Sequence, residues 1–265
     1  MKTTTTCLMI LGLIFAGNAF AADPTNFEEL KAHVGKTAGT HASYKMDMVM
    51  TMNMQGMEMK YTGKLTGKGE KMKMDMDMDM MGQIMKMTMV MGGDNMMHMY
   101  MDGMGQKQAM KMNMDVIKEM AEEMGVPESA LNQNSMNSLG NPKEMLEQFE
   151  SFYDVEFKGK QKLGDEDVYV VNAKIKSETV ESMSGNPATA QALATMTENA
   201  LYIGVEDGMI RKLVSGDPAE PAMTQTYSNI EINPDVSDDI FELNLPEGIQ
   251  VMDLTEMMKA QMGNL

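Results

Sequence analysis

Between positions 46 and 114, methionine alternates with polar residues so regularly that strands can be read from the register alone. The runs are Met46, Met48, Met50, Met52 and Met54, then Met57 and Met59, then Met72, Met74, Met76, Met78 and Met80. They continue with Met85, Met87, Met89 and Met91, then Met97, Met99 and Met101, and finally Met110, Met112 and Met114. Lys45, Asp47, Thr51, Asn53, Glu58, Lys60, Lys73, Asp75, Asp77, Asp79, Lys86, Thr88, Lys111 and Asn113 stand between them. In a strand, successive side chains point to opposite faces, so a period of two builds one methionine face and one solvated face. A helix would scatter the same residues around its circumference. The pattern predicts a six-stranded antiparallel meander over about residues 44–114.

The parity of the numbering switches between runs, and a glycine stands at each switch. Residues paired across a hairpin share a face, so loop length must restore the parity. A turn at Gln55-Gly56 pairs Met54 with Met57 and Met52 with Met59. A turn at Lys68-Gly69 pairs Leu65 with Met72, and Gly82-Gln83 pairs Met80 with Met85. A three-residue loop at Gly93-Asp94-Asn95 pairs Met91 with Met97, and Gly105-Gln106 pairs Met101 with Met110. In these registers Lys60 stands opposite Asp77 and Lys86 opposite Asp79, favourable pairs on the polar face.

Around the meander the pattern changes. Asn26 caps a predicted helix over Phe27 to Lys36, and Asp115 to Met124 forms another, stopped by Gly125 and Pro127. A polar loop (Asn132 to Asn141) precedes a helix opened by Pro142, with Met145, Leu146, Phe149 and Phe152 on one stripe. Strands with ordinary apolar residues are predicted over Tyr153–Leu163, Val168–Ile175, Leu201–Val205, Met209–Ser215 and Thr224–Ile232. Asp207-Gly208 is a hairpin turn. Pro187 to Asn199 reads as a helix or insertion, and Asp253 to Met262 as a terminal helix. The class is α+β: one long curved antiparallel sheet with a few helices.

Composition sharpens this picture. The chain holds 39 methionines and no tryptophan, and 25 of the methionines lie between Met46 and Met114. Lys2, an apolar run from Cys7 to Phe15 and Ala19-Phe20-Ala21 have the anatomy of a secretory signal peptide over residues 1–21. Residues 22–265 then form a single mature domain, expected in the periplasm. The one cysteine, Cys7, lies early in the leader and away from the cleavage point, so neither a lipid anchor nor a disulfide is expected. A net charge of -17 repels phosphate backbones, which excludes nucleic acid as a partner.

Nothing in the chain assembles a catalytic constellation. His33, His41 and His98 are scattered, and His98 alternates with methionine and so belongs to the polar face. Phosphate-binding glycine loops, HExxH and G-x-S-x-G are absent. Asp75, Asp77 and Asp79 lie about 7 Å apart along a flat strand and lack the wrapping loop calcium needs. No enzyme activity and no cofactor are expected.

Several stretches resemble the LolA-like periplasmic lipoprotein carriers, the outer-membrane lipoprotein-sorting proteins. An amphipathic helix runs into His41-Ala42-Ser43-Tyr44, similar to the family's junction between first helix and first strand. Gly92-Gly93-Asp94-Asn95 followed by Met96 to Tyr100 resembles its Asp-Gly-Lys turn and aromatic-rich strand. Asn233-Pro234, Ile240-Phe241 and Leu245-Pro246-Glu247-Gly248-Ile249, with Val251 and Asp253, resemble its F-x-x-x-P-P-x-G ending. The resemblance implies an unclosed half-barrel whose concave apolar face, covered by helices, holds the acyl chains of a lipoprotein or another lipid. It also implies membrane-bound donor and acceptor proteins as partners and a monomeric carrier. The chain departs from the family at its latch arginine, where Gly67-Lys68-Gly69-Glu70-Lys71 stands, and Arg211 is its only arginine. Methionine also stands where the family's cavity carries tryptophan and phenylalanine.

The methionine face therefore admits several readings. It is first a core, because methionine is apolar and fills irregular space. It is also the expected ligand surface for acyl cargo, comprising Met48, Met50, Met52, Met54, Met57, Met59, Met74, Met76, Met78, Met80, Met85, Met87, Met89, Met91, Met97, Met99, Met101, Met110, Met112 and Met114. The alternative is a Cu(I) or Ag(I) site, for which Met52, Met59, Met78, Met80 and Met85 are the candidates. The loop methionines Met104, Met136 and Met183 suit a further role as an oxidant sink.

Overall fold

Asn26 begins the first helix through its side chain, whose oxygen accepts the Glu29 backbone N–H at 2.9 Å. This helix, α1 (Phe27–Ala38), buries Phe27, Leu30, Val34 and Ala38, one stripe at helical spacing. The computed structural model describes residues 22–54, 57–80, 82–123, 141–183, 197–217 and 219–262. The expected leader, the Gln55-Gly56 turn, the helix stops Gly125 and Pro127, the loop at 132–140 and the segment 187–196 lie outside the described residues.

Six strands follow, as the methionine register predicts: β1 (Ser43–Met54), β2 (Met57–Lys68), β3 (Lys71–Met80), β4 (Gln83–Met91), β5 (Met96–Gly103) and β6 (Gln106–Asn113). Next come α2 (Met114–Glu123), α3 (Pro142–Phe152), β7 (Tyr153–Leu163), β8 (Glu166–Ile175), α4 (Ser177–Met183) and β9 (Glu198–Gly204). The chain then forms β10 (Ile210–Asp217), β11 (Glu220–Ile232), a 3-10 turn (Asp238–Phe241), β12 (Val251–Asp253) and α5 (Leu254–Met262). Met114, expected at a strand end, instead opens α2 because Asn113 turns the chain. Its side-chain oxygen accepts the N–H groups of Asp115 and Val116 at 2.9 and 3.2 Å.

All twelve strands join one sheet in the order β12-β6-β5-β4-β3-β2-β1-β11-β10-β9-β8-β7. Its ends, β12 and β7, do not pair, so the curved sheet stays an unclosed half-barrel. Pairing is antiparallel except for β12, which runs parallel to β6. β1 is the seam, with the methionine strands on its β2 side and β11, leading to the ordinary apolar strands, on the other.

Two of the five predicted hairpin registers hold residue for residue. Met52 faces Met59, Met54 faces Met57, and Met91 faces Met97. The other three slip by two residues: Leu65 faces Met74, Met78 faces Met85, and Met99 faces Met110. A slip of two leaves every methionine on its predicted face, because the side-chain period is also two. Its cause lies in the turns. Gly69 takes φ +57° as the residue after Lys68, and Lys68 itself pairs with Lys71. Met104 and Gly105 both take positive φ (53° and 75°), a type I′ turn one residue earlier than expected. Asp79 accepts the Gly82 N–H at 2.8 Å, drawing Met80 opposite Gln83 and away from Met85.

The slipped registers also arrange the outer face. Lys60 faces Asp79 rather than Asp77, and Lys86 faces Asp77 rather than Asp79. Two rows of alternating sign result, Asp47–Lys64–Asp75 and Asp77–Lys86–Asp102–Lys107. Exposed pairs of this kind contribute tenths of a kcal/mol each but disfavour other registers. The outer face is not polar throughout, however. Val90 is buried there under Val236 and Phe241, and its neighbour His98 is only half exposed. The segment that covers it is tied beneath β1 to β3. Asn233 accepts the Ala42 N–H at 2.7 Å, Ser43 donates to the Pro234 carbonyl at 2.7 Å, and Lys68 donates to the Val236 carbonyl at 2.9 Å.

On the inner face, α1 and α3 cover the end of the sheet near the start of β1. Leu146 of α3 is fully buried in the same core as Leu30, Val34, Met46, Met72 and Met74. The helices approach closely at Gly35, where a Cβ would come within 2.6 Å of the Lys143 stem. Beside α1, Arg211 binds Glu166 at 2.7 Å and Asp207 at 2.8 Å, joining β8 to the β9–β10 turn. Burial acts to lower the Arg211 pKa, but these two carboxylates outweigh it and hold the group above its ordinary value. Near them, the buried Nδ1 of His41 has no hydrogen-bond partner.

Two outcomes follow. On β2, Gly67 lies under the Tyr44 ring, and a Cβ there would overlap the ring. Gly67→Ala is expected to lower the urea midpoint by the equivalent of about 1–3 kcal/mol at unchanged m value. Burial depresses the His41 pKa, against the opposing pull of Asp207, so the unfolded chain takes up its proton first as pH falls. Stability carried by neutral His41 is complete above its ordinary value of about 6.5 and declines below it. Urea titrations of wild type and His41→Gln between about pH 7.5 and 5.5 should converge as the pH drops; parallel curves would refute this.

Candidate functional site

The inner face consists of rows that run across the strands, and each row follows from the observed register. The row nearest the α1 end is Tyr44–Gly67–Met72–Met91–Met97–Met112. Next lies Met46–Leu65–Met74–Met89–Met99–Met110, and after it Met48–Gly63–Met76–Met87–Met101–Gln108. The fourth, Met50–Tyr61–Met78–Met85, approaches the hairpin tips, and the fifth pairs Met52 with Met59. These rows contain no charged residue. Neighbouring strands lie about 4.8 Å apart and successive rows about 7 Å apart, so the thioethers form a regular lattice.

Burial grades along the strands. Met72, Met48, Met91, Met46, Met89 and Met74 are buried beneath the helices. Met50, Met52, Met59, Met78, Met85, Met87, Met99, Met101, Met110 and Met112 are half-buried, and Met57, at a hairpin tip, is 54 % exposed. Among the described residues, the methionine surface is therefore a closed core at one end and a half-buried apolar face, partly open to solvent, at the other. Val34 and Leu30 of α1 determine where the cover lies; the strand pattern does not.

The two tyrosines on the buried rows stay neutral. Burial pushes the Tyr44 hydroxyl up to about 12 and drives Tyr227, the partner of Met48, higher still, with Tyr44 adding to the effect. Two polar groups reach the sulfurs directly. Gln225 donates from Nε2 to the Met48 sulfur at 2.9 Å, and the Tyr61 hydroxyl donates to the Met59 sulfur at 3.8 Å.

Placement of the expected site residues is uneven. The registers bring Met52 to Met59 and Met78 to Met85, but Met80 faces Gln83, so the five metal candidates do not form one group. Met114 leaves the lattice with α2 and still packs against the core. Of the three loop methionines, Met104 is 63 % exposed, while Met136 and the Met183 side chain lie outside the described residues. Met223 was missed. It faces Met52 from β11 and extends the fifth row to three strands. Its alternation with Gln225 and Tyr227 carries the signal, but the strand was expected to start one residue later, at Thr224. Tyr44, Met46, Tyr61, Leu65, Met72 and Gln225 also belong to the face and were absent from the expected ligand surface.

The opposite face of the second half carries a depression of about 220 Å³ lined by Glu156, Asn172, Lys174, Glu198, Ala200 and Val214. Its charged rim does not suit an acyl chain. Among the described residues, no three His, Cys, Asp or Glu side chains gather as a metal site, and no helix is long and apolar enough to cross a membrane.

No protein-family model matches the chain, and no curated protein sequence matches it. Similar solved structures do exist. An uncharacterized conserved protein from Thermus thermophilus is 8 % identical with a TM-score of 0.49, covering 85 % of this chain and 98 % of that one. The Mycobacterium tuberculosis lipoprotein LppX is 10 % identical with a TM-score of 0.42, covering 80 % and 99 %. A LolA superfamily protein from Nitrosomonas europaea is 12 % identical with a TM-score of 0.31, covering 83 % and 99 %.

The burial gradient has a direct chemical readout. Under limiting peroxide, sulfoxide should appear first at Met57, Met104 and Met257 and last at Met48, Met72 and Met91, as read by peptide mass spectrometry. In denaturant the order should vanish. Oxidation of Met72 as fast as Met57 in the folded protein would refute the gradient.

Proposed function

We propose that this chain is an exported carrier that holds the acyl chains of a lipoprotein or another lipid against the methionine face. The single observation that supports it most is the uncharged lattice that, among the described residues, begins as buried core under α1 and continues as half-buried surface toward the hairpin tips. An apolar face left open by a protein's own helices invites a hydrophobic occupant. Methionine suits that role because its three rotatable bonds let it repack around chains of different length and branching. In this reading α1 and α3 fix one end of the groove and cargo completes the other.

The expected leader peptide supports a periplasmic setting, and the sequence resemblance to the LolA-like carriers supports this class of cargo. The carrier acts without catalysis or cofactor. It works as a monomer between membrane-bound donor and acceptor proteins, with the outer face, whose charges are paired in rows, turned to water.

A fluorescent fatty acid titrated into the purified mature chain tests the proposal. Saturable uptake is expected. Met78→Lys, which places a charge in the half-buried fourth row, should weaken binding by about tenfold or more, because a cation in an apolar site must be desolvated. Asp77→Lys, one residue away on the outer face, should leave binding unchanged. Failure of the wild type to take up probe, together with lipid-free protein on native mass spectrometry, would overturn it.

A further inference from the structure

The fifth row differs from the rest. Met223 on β11, Met52 on β1 and Met59 on β2 face one another in sequence across three adjacent strands. All three are half-buried, so the row is reachable from solvent yet set into the sheet. Directly opposed Cβ atoms on neighbouring strands lie about 4.5–5.5 Å apart. Each sulfur hangs on a flexible, unbranched side chain. Three sulfurs can therefore turn onto a single point while the backbone stays in place.

We propose that Met52, Met59 and Met223 form a binding site for a soft monovalent cation, Cu(I) or Ag(I). The donor set selects that class. Thioethers are neutral and soft, and they suit Cu(I), whereas calcium, magnesium and zinc need carboxylate, imidazole or thiolate ligands that this face lacks. The net charge of -17 draws cations toward the chain, and none of the three ligands needs to lose a proton to bind.

Geometry separates this row from its neighbours. In the fourth row Tyr61 stands between Met50 and Met78, so that row cannot offer three contiguous sulfurs. In the first three rows every run of three adjacent methionines includes a residue buried in the core, Met91, Met89 or Met76. Above the fifth row, Met57 faces Met54 and is 54 % exposed, which supplies an entry point from solvent. Tyr61 donates to the Met59 sulfur at 3.8 Å, a bond long enough to be given up without cost to the sheet. Of the metal candidates read from the sequence, only Met52 and Met59 belong to this site.

Copper binding is read in lipid-free protein, so its outcome stands apart from the carrier reading. The mature chain is titrated anaerobically with Cu(I) against a chromophoric Cu(I) chelator, and the copper-loaded protein is examined by X-ray absorption. One tightly held Cu(I) per chain with sulfur-only scattering is expected. The Met52→Leu/Met59→Leu/Met223→Leu variant conserves volume and should fold, but it should bind Cu(I) about tenfold or more weakly. The buried control Met46→Leu/Met74→Leu/Met89→Leu should retain full affinity. Equal Cu(I) affinity of the wild type and the fifth-row variant, or nitrogen and oxygen scattering, would overturn the site.

Discussion

The backbone ladder along β1 is the interaction on which the molecule depends. β1 pairs over its whole length with β2 and over most of it with β11, so it sets the phase of both halves of the sheet. Because the pleat alternates strictly, that phase decides which side chains of the neighbouring strands face inward. Met48 has Tyr227 on one side and Gly63 on the other, and Met46 faces Leu65. Ordinary apolar strands and methionine strands thus share one continuous inner surface with no break between them.

Methionine then makes that surface tolerant. Branched and aromatic side chains hold few rotamers and specify a tight fit, whereas a flexible thioether accepts several. The second half of the sheet uses Val171, Leu201 and Ile203, all fully buried, and acts as the rigid wall. Where methionine must pack closely, aromatic and glycine neighbours supply the definition, as when Gly67 makes room for the Tyr44 ring. Definition is strongest under α1 and fades toward the hairpin tips, where an adaptable surface is most useful. The carrier and soft-metal readings draw on different properties of the same residue: its flexibility for the first, its sulfur lone pairs for the second.

The outer face secures what the inner face leaves loose. Alternating Lys and Asp rows penalise register slips that the uniform methionine face could not detect, since one methionine pair is much like the next. The strap from Asn233 to Phe241 fastens the strand ends near α1, and burial of Val236 and Phe241 on Val90 contributes roughly 1.5–3 kcal/mol for each side chain. The Asn233-Pro234 and Ile240-Phe241 pairs noted in the sequence have their role here, in holding the sheet, and do not line the groove.

By itself the sequence determined the six methionine strands, the face on which their methionines lie, the helix starts at Asn26 and Pro142, and the existence and order of the later strands. These follow from local rules: a two-residue period, turn chemistry and helix capping. Tertiary structure decided the rest. Three hairpins slipped by two residues because positive-φ residues and the Asp79 side chain fixed the turn positions, a choice to which alternation is blind. Val90 was buried on the polar face by a segment from the far end of the chain. Which methionines are core and which are open was decided by where α1 and α3 lie, and Met223 joined Met52 and Met59 only through the long-range pairing of β11 with β1. A periodic sequence carries no mark of such distant partners, because every methionine in it looks alike until something packs against it.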